Sequence, residues 1–337
     1  MSFAEALEEC VEALGRKPNV LLGNGFSIAC RPECFNYEAL LEEATFDGAT
    51  GDMRALFELL GTTDFERVIE HLRLSAQIAE FYSQESAFVG ALNGDAEIVR
   101  EALATTLAAR HPDLPFDIST DEYTAVRTFL SSFDRTYTLN YDMLLYWAVM
   151  QDGEPVVARN DGFTSPDDPD AEYVVWEPYL DFGDQRIFFM HGGLHLYDRG
   201  AEISKITYSR TSVPLVEQIR AALAEGRYPL VVTEGTSRDK EAQILHNAYL
   251  NHALRSFAKL GNALFIFGHS LAQNDEHILR RIAEGRMKRL YVSVFGDPDN
   301  DGNLAIRARA EALGAGRSPA NPLLVRFFDA ATASVWG

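Results

Sequence analysis

Apolar residues in this chain fall into short, nearly continuous runs separated by longer stretches of helical spacing. The runs are VLL (20–22), FF (188–189), LVV (230–232), LFIF (264–267), YVSVF (291–295) and LLV (323–325). A run without polar alternation is buried on both faces, as in a parallel sheet covered by helices, so these predict strands. RTYTL (135–139) reads as a further short strand, and PVVA (155–158) and YVVW (173–176) as β-like pieces. Helical spacing covers residues 1–17, 124–133 and 141–150, one long helix over 239–260, a helix from Asp275, and 304–313.

Between Tyr37 and Ala109 the pattern is helical almost throughout, with few β-branched runs. This predicts a helical insertion or cap over 37–109, carried on an α/β core made of 1–36 and 110–337. The expected fold is a doubly wound, Rossmann-like parallel sheet with that helical insertion. Residues 151–186, rich in Asp, Gly and Pro, read as a long excursion of the kind that lines sites. In open parallel sheets ligands bind beyond the carboxyl ends of strands, which narrows the search for chemistry to the residues just after each run.

Four clusters occupy such places. Gly23-Asn24-Gly25-Phe26-Ser27 follows the first run; its glycines let backbone approach a pyrophosphate, although Ile28 stands where the usual dinucleotide fingerprint has a third glycine. A glycine turn without a ligand explains the same residues equally well. Asn140 and Asp142, in TLNYD, can hold a ribose hydroxyl, orient a water or accept from a carboxamide, or simply cap the next helix. His191, followed by two glycines, is a candidate general base near neutral pH, with His195 a nearby rival and a hydrogen-bonded structural role the bland alternative. Gly268-His269-Ser270-Leu271 offers another small-residue turn, suited to an adenosine half or to phosphates.

Taken in order, GNGFS, TLNYD, HG and GHSL resemble the sirtuin family, whose members show a GAG-x-S-like loop, a T-x-N-x-D segment, a His-Gly and a G-x-S-L loop. The resemblance covers the α/β parts and not the helical block. It implies NAD as ligand, with Gly23, Asn24, Gly25, Phe26 and Ser27 at its phosphates and ribose. Asn140 and Asp142 would then stand at the nicotinamide end, His191 would be the base, and Gly268, His269 and Ser270 would serve the adenosine side. Sirtuin deacylases carry four zinc-binding cysteines after the catalytic histidine, whereas the last cysteine here is Cys34. That departure resembles the zinc-free sirtuin-like proteins of bacterial anti-phage defence, which hydrolyse NAD. VVTEGTSRDK and FGHSLAQNDEHIL are similar to a bacterial family of stand-alone sirtuin-like proteins.

The expected activity is therefore hydrolysis of NAD, as substrate, to nicotinamide and ADP-ribose, with His191 and Asn140 catalytic and no metal. A non-catalytic NAD or ADP-ribose sensor is the alternative, and protein deacylation a more distant one. Nicotinamide leaves as a neutral ring from a cationic glycoside, so the protein needs to exclude bulk water, place one water and polarise a ribose hydroxyl.

Composition adjusts this picture at few points. With 337 residues, 47% of them hydrophobic, the chain can bury a sizeable core. A net charge of -20 repels nucleic-acid backbones, yet leaves room for a small anion held by local N–H groups. Three cysteines, an amphipathic N-terminal helix and no apolar run of about 18 residues predict a soluble cytoplasmic protein without a membrane span. Cys30 and Cys34 read as ordinary thiols. A homo-oligomer or a regulatory protein partner is compatible with the sequence. Glu234, Ser237 and Lys240 follow a predicted strand and read equally as site-lining or as turn and solvated helix start. His277 reads as a surface or packing residue, His246 and His252 lack ligand spacing, and Phe26, Tyr141 and Trp147 read as core or as pocket wall.

Overall fold

Strand β1 (Asn19–Leu22) is buried at every position, which is why its sequence carries no polar alternation. The computed structural model describes residues 1–82, 85–177, 185–233 and 236–337. Along them follow β2 (Thr136–Thr138), β3 (Phe163–Thr164), β4 (Tyr173–Trp176), β5 (Ile187–Phe189), β6 (Leu196–Asp198), β7 (Ile203–Ile206), β8 (Ala263–Phe267), β9 (Arg289–Val294) and β10 (Leu324–Asp329). The fold is α/β. Six strands form a parallel sheet in the order β10-β9-β8-β1-β2-β5, flanked by helices, and β3-β4-β7-β6 form a separate antiparallel sheet.

Register sets up the site. Leu22 pairs with Thr138 on one side and Phe267 on the other, and Thr138 pairs with Phe189. Four strands therefore end level, and Gly23, Leu139, Met190 and Gly268 leave the sheet side by side. The chain fills the β2–β5 side first and then crosses to β8, so the connections after β1 and β8 diverge at one point and leave a crevice there.

The helical stretch resolves into Tyr37–Glu43, Met53–Leu59, Phe65–Phe81 and Ser86–Arg110. Asp52 and Asp64 start two of these by accepting backbone N–H groups of the first turn. Phe57 and Phe65 meet edge-on at 5.1 Å, so the short helices share a core with the long ones. Among the described residues, no helix is long and apolar enough to cross a membrane.

Four sequence expectations need correction. PVVA is not a strand: the buried Arg127 guanidinium donates to the carbonyls of Gln151, Gly153 and Pro155, holding this stretch by a side chain instead of a ladder. LVV (230–232) lies outside the parallel sheet. It meets the His191 loop through one isolated Gly192–Val231 bridge, with Gly193 N–H donating to Leu230 O and Val232 N–H to His191 O. The long helix is two, Ser237–His246 and Ala248–Ala258, because Asn247 adopts extended backbone and its side chain accepts from Leu250 N–H as a new cap. The 151–186 excursion is more ordered than a loop: YVVW, read as β-like, is β4, and with β3, β6 and β7 it forms the antiparallel sheet whose pairing no local pattern announced; residues 178–184 of that excursion lie outside the described residues.

Candidate functional site

The glycines of GNGFS and GHSL are required by each other. A Cβ on Gly25 would lie 2.5 Å from Gly268 Cα, and one on Gly23 would lie 2.7 Å from Gly268 O. Gly268 also has φ +68°, and Gly25 N–H donates to its carbonyl at 2.8 Å. Side chains at these positions would push the two loops apart. Gly192 is as constrained, with φ +79° and a hypothetical Cβ only 1.9 Å from Leu230 O.

Below the loops, Asn140 ties GNGFS to β2. Its amide donates to Gly23 O at 3.1 Å and to Ser27 Oγ at 2.8 Å, and its own N–H donates to Thr138 Oγ1. Ser27 in turn donates to Asp142 Oδ2, while Asp142 Oδ1 accepts Leu144 N–H at the start of helix Leu144–Met150. Burial raises the Asp142 pKa above the ordinary carboxyl range, against the opposing hydrogen bond from Ser27. Asp142 thus acts as the helix-capping anchor that the residue type allowed.

His191 is 1% exposed, and its Nε2 lies 3.0 Å from Nε2 of His277 in a stacked pair of rings. Ser237 Oγ accepts His277 N–H at 2.6 Å and faces His277 Nδ1 at 3.1 Å. One hydrogen-bonded chain therefore runs Ser237–His277–His191. Burial, against the pull of Asp275, holds His191 well below its ordinary pKa.

Beside this pair lies a buried charge network. Lys240, 0% exposed, donates to Glu66 at 2.5 Å and to Asp275 Oδ1 at 3.2 Å. Tyr141 OH reaches Glu66 at 2.6 Å, Asn274 donates to Glu66 at 3.2 Å, and His269 Nε2 meets Asp275 Oδ2 at 2.9 Å. His269 Nδ1 accepts Leu271 N–H, so the ring proton sits on Nε2 and donates to Asp275. Burial works to lower Lys240 and to raise Asp275. The two carboxylates hold the ammonium above its ordinary value, and that ammonium with the His269 bond holds Asp275 well below its own. Glu66 comes from helix Phe65–Phe81, so the network joins the helical stretch to the sheet.

All of this surrounds one cavity of about 800 Å³. Gly23, Asn24, Gly25, Asn140, Asp142, His191, Gly268, His269 and Ser270 line it. Phe26 and Ser27 are not on its wall: Phe26 packs against Trp336, and Ser27 is spent on Asn140 and Asp142. His195 is also elsewhere, buried between Tyr146 and Phe189. The opposite wall is helical, with Tyr37, Leu40, Leu103 and Leu107 among its apolar members and Asp64 and Glu66 its acids. Of the aromatics left open, Tyr141 is wall; Trp147 is core, against His111.

Sequence reasoning left Ser237 and Lys240 open between site lining and helix start, read His277 as a surface or packing residue, and missed Glu66 altogether. His277 is 1% exposed and not a surface residue, and Lys240 is no solvated helix start; both follow from a helix packing that local pattern does not encode. Glu234 lies outside the described residues. His191, His277 and Asp275 offer ligand atoms within 4.8 Å of one another, a spacing a metal ion could use. The Asp275 oxygen nearest His191 already carries the Lys240 ammonium, which repels a second cation, so the geometry suits a proton relay better.

These buried imidazoles set a pH dependence. His111 and His277 are pushed down to about 4, and His191 and His195 well below the ordinary value, in each case by burial first. Between those values and the unfolded value near 6.5 the unfolded chain binds more protons, so stability falls on acidification below about pH 6.5. Each group contributes up to about 1.4 kcal/mol per pH unit. Asp275, held low, contributes stability above its unfolded value that is lost as pH falls through its folded one. Asp64, raised to about 6 by burial and then by Glu66, works the opposite way, its contribution vanishing as pH rises through 6. Asp142, raised by burial, acts in the same sense as Asp64, and four histidines outweigh these two carboxyls. The urea midpoint is expected to drop from pH 6.5 to 4.5; a flat midpoint would contradict neutral buried imidazoles.

No curated protein matches the chain. A protein family described as a domain of unknown function (DUF4917) matches residues 20–336, nearly the whole chain and every residue of the cavity wall discussed above. The chain belongs to the DUF4917 family.

Proposed function

We propose that the cavity binds NAD and that the protein is a sirtuin-like NAD hydrolase, releasing nicotinamide and ADP-ribose, with depletion of NAD in anti-phage defence as its setting. The observation that carries this reading is the convergence of four strand-end segments on one cavity where the strand order reverses. Numbered along the parallel sheet alone, that order is the 3-2-1-4-5-6 arrangement of doubly wound dinucleotide-binding folds. A volume of about 800 Å³ accommodates a ligand of this size.

The charge of the wall agrees with the chemistry. It carries the carboxyls of Asp64, Glu66, Asp142 and Asp275 and, among the described residues, no lysine or arginine. The Lys240 ammonium behind the wall is shared by Glu66 and Asp275, which leaves Asp64 to favour a cationic nicotinamide ring and the oxocarbenium-like ribose that follows its departure. In this reading His191 takes a proton at Nδ1 and passes one from Nε2 towards His277. Asn140, its amide already donating to Gly23 and Ser27, positions the loop and presents its oxygen to the cavity. The helical wall excludes bulk water.

One observation favours a second reading, a sensor that binds without cleaving: the Asn140 amide and His191 Nε2 are both already engaged within the protein. The deciding experiment incubates purified protein with NAD and quantifies nicotinamide and ADP-ribose, with and without an acetyl-lysine peptide. Release without peptide supports hydrolysis, and release only with peptide would make it a deacylase. Saturable binding without release would make it a sensor, and no binding would end the NAD reading.

A further inference from the structure

At the amino end of β2, beside the edge strand β5, lies a second cavity, of about 500 Å³. It is lined by one face of helix Ala248–Ala258 and its cap, with Asn251, His252, Arg255, Ser256 and Lys259, and by Arg135, which precedes β2. Arg135 and Asn140 are separated by the length of β2, about 16 Å at the rise of an extended strand, so this cavity is distinct from the one above.

Its charge is out of keeping with the rest of the molecule. The chain carries a net charge of -20, yet among the described residues no Asp or Glu lines this cavity. Arg135, Arg255 and Lys259 hold no carboxylate among the described residues. The acid next to Arg135 in the chain, Asp134, is taken by Arg186. Arg135 meets only Ser256 Oγ, at a long 3.4 Å, and its buried Nε has no acceptor. Ser256 Oγ is itself fixed by Tyr137 OH at 2.9 Å. The field of these cations is felt inside: burial first, then Lys259, Arg255 and Arg135, lowers the His252 pKa.

A helix C-terminus accommodates cations, which accounts for Arg255 and Lys259 on their own element. It does not account for Arg135 facing them from the start of β2. Like charges four residues apart on a helix also oppose each other unless an anion is shared between them. Guanidinium forks and an ammonium around one cavity form the donor set that takes phosphate.

We propose that this cavity is a binding site for a phosphate-bearing small molecule, held by Arg135, Arg255 and Lys259. The test titrates inorganic phosphate into the intact protein by calorimetry at constant ionic strength set with chloride, comparing wild type with Arg255→Gln/Lys259→Gln. Both substituted residues are exposed, so the fold is expected to survive, and the urea midpoint checks that. Saturable binding with one phosphate per chain, weakened at least about ten-fold in the double variant, is the expected result. Absence of saturable binding in the wild type, or binding unchanged in the double variant, would overturn the proposal. The outcome does not depend on whether the first cavity turns over NAD.

Discussion

His191→Ala is expected to reduce nicotinamide release from NAD by about 10²–10⁴-fold, the range a positioned general base supplies. The expectation is large because His191 is the imidazole on the cavity wall with a proton path behind it, through His277 to Ser237. Removing the ring leaves His277 Nε2 buried without its partner, a cost of about 1–3 kcal/mol, so activity is to be compared at a temperature where circular dichroism shows both proteins folded. Binding of NAD should persist in the variant, since the loops and Asn140 remain. His277→Gln separates relay from scaffold: a relay predicts a smaller fall in turnover with a displaced pH profile and little change in KM. Equal release by wild type and His191→Ala would remove His191 from the mechanism.

Lys240→Met is expected to lower stability by about 3–5 kcal/mol, the usual consequence of removing one partner from a buried ion pair. Lys240 is completely buried and serves two carboxylates, so its loss strands both Glu66 and Asp275 in a low-dielectric interior. Glu66→Gln in the same chain should recover part of the loss, because one stranded charge is then gone and Tyr141 and Asn274 can still bond the amide. A urea-denaturation double-mutant cycle measures this coupling. A loss under about 1 kcal/mol for Lys240→Met would show that the ammonium is solvated in solution and that the helical stretch is not tied to the sheet through it.

The reach of sequence reasoning is visible in particular elements. VLL and LFIF announced β1 and β8 because a strand buried on both faces has no polar residue to interrupt it. The four clusters after strands were legible for the same reason: glycines and a histidine at the end of an apolar run stand out against it. LVV carried the same signal and is not a strand of the sheet, since apolar composition reports burial and not the pairing partner. The break at Asn247 was hidden within a continuous helical pattern, where one capping residue suffices to turn the chain.

By itself, then, the sequence determined the parallel sheet's core strands, the helical stretch over 37–109 and the positions of Gly23, Asn140, His191 and Gly268 at strand ends, because burial and turn chemistry are local properties. Only the tertiary structure decided what surrounds them. Strand register brought the four ends level. Packing of helices far apart in the chain set His277 beside His191, joined Glu66 to Lys240 across 174 positions, and gathered Arg135 with Arg255 and Lys259 at the amino end of β2. A side chain's partner across such distances depends on how elements dock, and no local pattern of hydrophobic and polar residues encodes that.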